Sequence, residues 1–247
     1  MTTTYLMDKS HFNTFIFSNA NKIYSYVFCI LKNPEETMEV VSLTIEECWK
    51  KRKNFSHTEI TYAFKVARNL AKNKASYCRQ SAVQNGSTEL EVNPVLDLFC
   101  KLIKDLAPVQ AEVMCLRSLT RLSIDEISIV VGLGINNVIS ILANTRKLIR
   151  AKIDPKGILN DMNCHEFLLK YYSGNTTLEE EEKLRIYILR MDLTEIPEAD
   201  CELFKLFLEV GGCEMPKHYT DLLNVKIKEL QNDNWRKSLS RFFLMGE

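Results

Sequence analysis

The chain has 247 residues, 46% of them apolar and 26% charged, the proportions of an ordinary globular protein with room for one large domain or two to three small ones. Eight glycines and six prolines are too few for a many-turned β-sandwich or barrel, or for a long disordered linker. Lys plus Arg and Asp plus Glu both number 32, but residues 1–156 hold 21 basic against 15 acidic side chains and residues 157–247 hold 11 against 17, so a net of +6 is followed by a net of −6. That asymmetry points to a basic part that faces nucleic acid and an acidic part that stays clear of it or covers it.

Apolar residues recur at spacings of three and four along the whole chain, which predicts an all-α fold. A first helix, about 10–32, stops at Asn33-Pro34. Pro34, Glu35 and Glu36 then open a second helix, with proline at the first helical position and acids at the positive dipole end. Met38, Val41, Ile45, Cys48 and Trp49 share one face of it, and Lys50-Lys51-Arg52-Lys53 closes it as a solvated, dipole-satisfying end or a basic patch. Ser56-x-x-Glu59 is a capping box for a third helix with Ile60, Ala63, Phe64, Ala67 and Leu70 inward. On the opposite side Lys65, Arg68, Lys72 and Arg79 form a cationic stripe, and no acid occurs between Glu59 and Glu89. A helix laid along a phosphate backbone needs such a stripe; a merely solvated face would usually carry Glu partners at i+4.

Residues 8–80 therefore form a first helical domain, and the polar stretch 81–93, with Asn-Gly inside it and Asn93-Pro94 at its end, is a linker. A second domain, 94–153, holds helices near 94–105 and 108–119, a short helix capped by Ser123-x-x-Glu126, a turn at Gly132-Leu133-Gly134, and a long helix over 135–152. This last pair has the outline of a helix-turn-helix, and also of a plain helical hairpin. As a recognition helix, 135–152 would offer Asn136, Asn137, Ser140, Asn144, Arg146, Lys147 and Arg150 to a groove. Beyond Asp154-Pro155-Lys156-Gly157 an acidic domain, 157–247, is expected, with helices near 160–172, 178–190 (capped by Thr177-x-x-Glu180), 198–209 and 216–244.

Chemistry finds few supports. The four histidines (11, 57, 165, 218) are scattered, and there is no H-E-x-x-H, glycine-rich phosphate loop or C-x-x-C pair. Cys164, His165, Cys201, Cys213 and His218 are too irregularly spaced for a zinc set, so neither an enzyme nor a metal or cofactor is expected. The start, MTTTYLMDKSH, lacks a basic stretch followed by an apolar core, and the cysteines sit in apolar helical patterns such as Val27-Phe28-Cys29-Ile30. Reduced, buried thiols and a cytoplasmic location are expected. The charge-free run Ile127–Thr145 is interrupted by Gly132, Gly134, Asn136, Asn137 and Asn144, which argues against a membrane segment.

Together these parts have a familiar order. Residues 10–152 resemble an extracytoplasmic-function (ECF) sigma factor of bacterial RNA polymerase. Phe64-Lys65-Val66-Ala67-Arg68-Asn69-Leu70-Ala71 is similar to the family's I-A-R-N-L-A signature, and Glu39-Val40-Val41-Ser42, with Trp49 and Phe55, to its D-L-V-Q helix. Leu106-Ala107-Pro108 followed by Glu112-Val113 resembles L-P…E-V. Ser123-Ile124-Asp125-Glu126-Ile127-Ser128, then Leu133-Gly134-Ile135 and Val138, resembles L-S-x-E-E-I-A…L-G-I…V. The resemblance implies that Glu39, Ser42, Glu46 and Trp49 dock on core RNA polymerase. It also implies that Lys65, Arg68, Asn69, Lys72 and Arg79 hold promoter DNA, and that Asn136, Asn137, Ser140, Asn144, Arg146 and Lys147 contact upstream DNA.

The chain departs from the pattern at Ser42, Ser76 and Tyr77, and basic positions of the recognition helix fall on Ile139, Ile141 and Asn144. A sigma-derived adaptor that binds polymerase or a sigma factor without reading DNA is thus the alternative. Residues 162–209 resemble an anti-sigma domain, on Phe167-Leu168-Leu169-Lys170-Tyr171-Tyr172-Ser173-Gly174 and Leu178-Glu179-Glu180-Glu181; Ile186–Asp192 lacks the Cys and His of zinc-binding variants. A zinc-free, anti-sigma-like regulator acting in the same chain is what this second resemblance implies.

Overall fold

A computed structural model describes residues 7–52, 59–81, 93–153, 166–190 and 198–232. They are all-α. Eleven helices are described: α1 (Lys9–Leu31), α2 (Pro34–Lys51), α3 (Glu59–Ser81), α4 (Pro94–Ile103), α5 (Pro108–Ser118), α6 (Ile124–Val131), α7 (Ile135–Ile153), α8 (Glu166–Tyr172), α9 (Leu178–Arg190), α10 (Glu198–Val210) and α11 (Lys217–Gln231). Ser56, Phe55, most of the expected linker, the break at 154–157 and Cys164-His165 lie outside the described residues, as does the side chain of Arg79. The expected helix over 216–244 is described to Gln231, where Asn232 turns to extended backbone.

The chain divides into two compact units, 1–91 with 214–247, and 92–213. The expected acidic domain over 157–247 is thereby parted: α8, α9 and α10 belong to the second unit and α11 to the first.

In the first unit the helix ends are closed by local caps. The Asp8 carboxylate caps α1 by accepting from the His11 amide at 2.8 Å, and Lys32 closes it in the left-handed region, φ 56°. Asn33 Oδ1 then accepts from the Glu36 amide at 3.0 Å to start α2. α1, α2 and α3 pack on one another around Phe12, Ile16, Ile23, Tyr26, Val41, Ile45 and Phe64. Ala63, Ala67 and Ala71 of α3 are fully buried at i, i+4 and i+8, small enough to let the helices approach closely. α11 adds a fourth layer on α2 through the stripe Tyr219, Leu223, Ile227 and Leu230, whose spacing keeps one face inward.

The second unit has α4–α7 at its base. The Ser123 box forms: Ser123 Oγ accepts from the Glu126 amide at 3.2 Å while Glu126 accepts from the Ser123 amide at 2.7 Å. Gly132 closes α6 at φ 77°, where an L side chain is strained, and α6 meets α7 at a 104° bend. Among the described residues no single helix is long and apolar enough to cross a membrane, and the α6–α7 pair, apolar as it is, is broken by that bend. α8 packs on α7, and α10 on α4, α7 and α9, around Leu168, Tyr171, Tyr172, Leu184, Ile188 and Phe204. Gly174, after α8, has φ 76°, and a Cβ there would lie 2.3 Å from the Ile139 carbonyl oxygen and 2.8 Å from the Ala143 amide nitrogen. Only glycine allows the chain to press this closely on α7. The six cysteines whose side chains are described, 29, 48, 100, 115, 201 and 213, are free thiols and all but Cys29 are buried.

Candidate functional site

Two surfaces carry the residues singled out in the sequence. On α2, Glu39 is 56% exposed and paired with Lys74 of α3; Ser42 is half-buried. Glu46 lies between Lys50 at 3.1 Å and Lys226 of α11 at 3.4 Å. Burial pushes the Glu46 carboxyl up, but these two ammonium groups outweigh it and hold it below the usual carboxylate range.

Trp49 belongs to the interior. It is 4% exposed, meets Phe12 edge-on with ring centroids 4.9 Å apart, and is covered by the Arg52 guanidinium 3.6 Å from its ring. Its place in the register with Met38, Val41 and Ile45 explains this, and its assignment as a polymerase contact is corrected. Next to Glu46, α11 is anchored on α1 as well. Lys9 Nζ donates to the Gln231 carbonyl at 3.1 Å, Gln231 donates to Asn13, and the Met215 amide donates to Asn21 at 3.3 Å.

On α3, Lys65, Asn69 and Lys72 are exposed and Arg68 is half-buried, at spacings that put them on one side of the helix. On α7, Asn136, Asn137, Ser140, Asn144 and Lys147 are exposed. Arg146 is not: it is 2% exposed. Its Nη1 donates to the Tyr171 carbonyl at 2.7 Å and to Thr176 Oγ1 at 3.2 Å, and its Nη2 to Glu181 at 2.6 Å. Its guanidinium lies 3.7 Å from the Tyr171 ring centroid. Arg150 is 3% exposed and bonds both oxygens of the fully buried Asp200 at 3.2 Å. Both arginines therefore serve the interior of the second unit, and their assignment to a DNA groove is corrected. The helical period already points there. Arg146 and Arg150 follow Leu142 at i+4 and i+8, on the side that buries Val138 and Ile149.

Arg117 of α5, not singled out in the sequence, completes the cluster. It donates to Glu181 from Nε at 3.1 Å and from Nη2 at 2.9 Å, and to the carbonyls of Leu122 and Thr176 at 2.9 and 2.7 Å. One carboxylate oxygen of Glu181 thus accepts from two arginines and from the Thr176 hydroxyl. Burial pushes the Glu181 carboxyl up, yet Arg146 and Arg117 outweigh it and hold it below the usual range. Burial pushes the Tyr171 phenol up to about 12 and, with the Asp200 carboxylate beside it, keeps the Tyr172 phenol protonated far above its ordinary value. Tyr172 donates to Asp200. α8, α9 and α10 are clamped to α5 and α7 by charge-assisted bonds inside a low-dielectric core. The sequence signal for this clamp was the acid-rich Leu178–Glu182 stretch following a basic α7.

Among the described residues no three His, Cys, Asp or Glu side chains come together in a way that would hold a metal ion. Comparison with family models, with curated proteins and with solved structures gives no match.

Proposed function

We propose that the chain is a sigma-factor-like cytoplasmic protein that docks on core RNA polymerase through α2, holds promoter DNA along α3, and is restrained by its own C-terminal helices. The observation that carries this reading is α11 laid on α2, with Lys226 engaging Glu46, one of the residues the ECF resemblance assigns to polymerase. A tethered helix acts at millimolar-range effective concentration, so a weak contact suffices to compete with a partner. The exposed side of α3 supports the DNA half, since Lys65 and Lys72 are displayed on it.

A second reading is favoured by one specific observation. With Arg146 and Arg150 turned inward, the exposed side of α7 is left with amides, a hydroxyl and Lys147, a poor counterpart to phosphates. A non-initiating adaptor that binds polymerase or a sigma factor and reads no upstream element has the same surfaces.

Titration of the full chain against core polymerase tests docking: Glu39→Lys should weaken binding by about tenfold, the scale of one lost charge contact, with helix content unchanged. Equal binding by variant and parent would remove α2 as the docking surface. Run-off transcription from bound promoter DNA then separates the two readings, because the adaptor yields no transcript.

A further inference from the structure

The second unit holds a cavity of about 270 Å³ between α5, α9 and α10 that no role described above uses. Arg117 and Arg146 lie in its wall at depth, Arg121 and Arg185 line it nearer solvent, and Phe204 and Phe207 form an aromatic side. Its charge is unbalanced. Glu181 is shared by Arg117 and Arg146, and Glu182 by Arg121 and Arg185, so four guanidiniums meet two carboxylates and the wall keeps a net charge of +2.

The imbalance is matched by unfilled donors. Nε of Arg146, inside a side chain only 1% exposed, has no hydrogen-bond partner, although a buried N–H is nearly always paired. Arg121 and Arg185 remain 39% and 20% exposed. Each presents a fork of which Glu182 accepts one arm, leaving the geometry in which guanidiniums grip a second anion.

From these features we infer that the cavity is a binding site for a small organic anion, a carboxylate or phosphate monoester on an aromatic or apolar body. The headgroup bridges Arg121 and Arg185, and the body lies against Phe204 and Phe207. The volume is below the roughly 300–1,000 Å³ of sites for drug-sized molecules, which restricts the ligand to about the size of a substituted benzene. Because the anion joins the turn after α5, where Arg121 stands, to Arg185 of α9, it also fastens the clamp, and its occupancy raises the melting temperature of the second unit by mass action. The inference stands on this cavity alone and does not depend on the polymerase reading.

Isothermal titration of the full chain with phenyl phosphate, phenylacetate, inorganic phosphate and benzyl alcohol tests it. Phenyl phosphate or phenylacetate should bind with a rise in melting temperature, at least about tenfold more tightly than inorganic phosphate or benzyl alcohol, since charged hydrogen bonds and apolar burial each contribute on that scale. Arg121→Gln and Arg185→Gln, both toward the surface, should each lower that affinity by about tenfold while the ligand-free melting temperature stays near the parent's. Unchanged affinity in the Arg121→Gln/Arg185→Gln double variant, inorganic phosphate binding as tightly as the aromatic anions, or no binding of either aromatic anion at millimolar concentration overturns the assignment.

Discussion

The C-terminal helices are attached in two different ways. α8–α10 are joined to α5 and α7 by arginine–carboxylate pairs whose arginines are at most 4% exposed and by a glycine backbone contact that no other residue can make. α11 is joined to α2 by an apolar stripe and by a Lys226–Glu46 pair whose side chains are 33% and 22% exposed. A buried charge stripped of its partner is strongly destabilising, whereas a partly solvated pair contributes little and weakens with salt. The first attachment is therefore part of a folding unit; the second rests on an apolar stripe and one solvated pair, and is the contact that the proposed restraint requires a partner to displace. A truncation at 156 would leave Arg117, Arg146 and Arg150 without their carboxylates, so the informative truncation is after residue 213, which keeps the second unit whole.

The comparison breaks most readily at Glu181. Glu181→Ala leaves two buried arginines facing each other, and chemical denaturation should show the second unit destabilised by about 3–5 kcal/mol. A loss below about 1 kcal/mol, the scale of a solvated pair, would place this attachment in the same class as that of α11. Gly174→Ala should follow closely: positive φ alone costs roughly 1–2 kcal/mol, and relief of the contact with the Ile139 carbonyl adds to it.

Acid sharpens the contrast. The folded-state pKa of Glu181 is lowered from 4.5, so its contribution is fully present above that value and is lost as pH falls through the folded pKa. Unfolding of the second unit followed by circular dichroism should therefore steepen below about pH 4.5, and Glu181→Gln should flatten that dependence. Glu46 is lowered as well, but its partial exposure makes the corresponding effect on α11 smaller.

The smallest effect is expected at Lys226. Lys226→Glu places like charges opposite Glu46 and should loosen α11 by about 0.5–1 kcal/mol, read as a gain of several-fold in polymerase affinity that shrinks at high salt. Leu223→Ala, which removes a buried anchor of the same helix, should produce the gain without the salt dependence. If neither variant alters binding while Glu39→Lys does, α11 is not a restraint.

Much of the architecture was legible along the chain because it is decided within a few residues. Helix starts at Pro34, Ser123 and Thr177 follow from caps that reach three residues, and the buried faces of α2 and α3 follow from the 3.6-residue period. Even Trp49 and the inward turn of Arg146 stand in register with apolar neighbours; the family resemblance in one case and the cationic residue type in the other pointed outward and competed with that register.

By itself, then, the sequence determined an all-α fold, the positions of its helices and, the arginines of α7 apart, the buried sides it named, all consequences of short-range hydrogen bonding and periodicity. Only the tertiary structure decided where the acidic third of the chain goes. Whether Arg146 meets a phosphate or Glu181, and whether Lys226 faces water or Glu46, depends on which helix lands opposite, 35 and 180 residues away in sequence. Net charge announces that such partners exist, but a Coulomb attraction carries no register. The pairing was settled by the fit of apolar faces, by the Tyr171–Phe204 core on one side and the Tyr219–Leu230 stripe on the other, which brought particular charges within bonding distance.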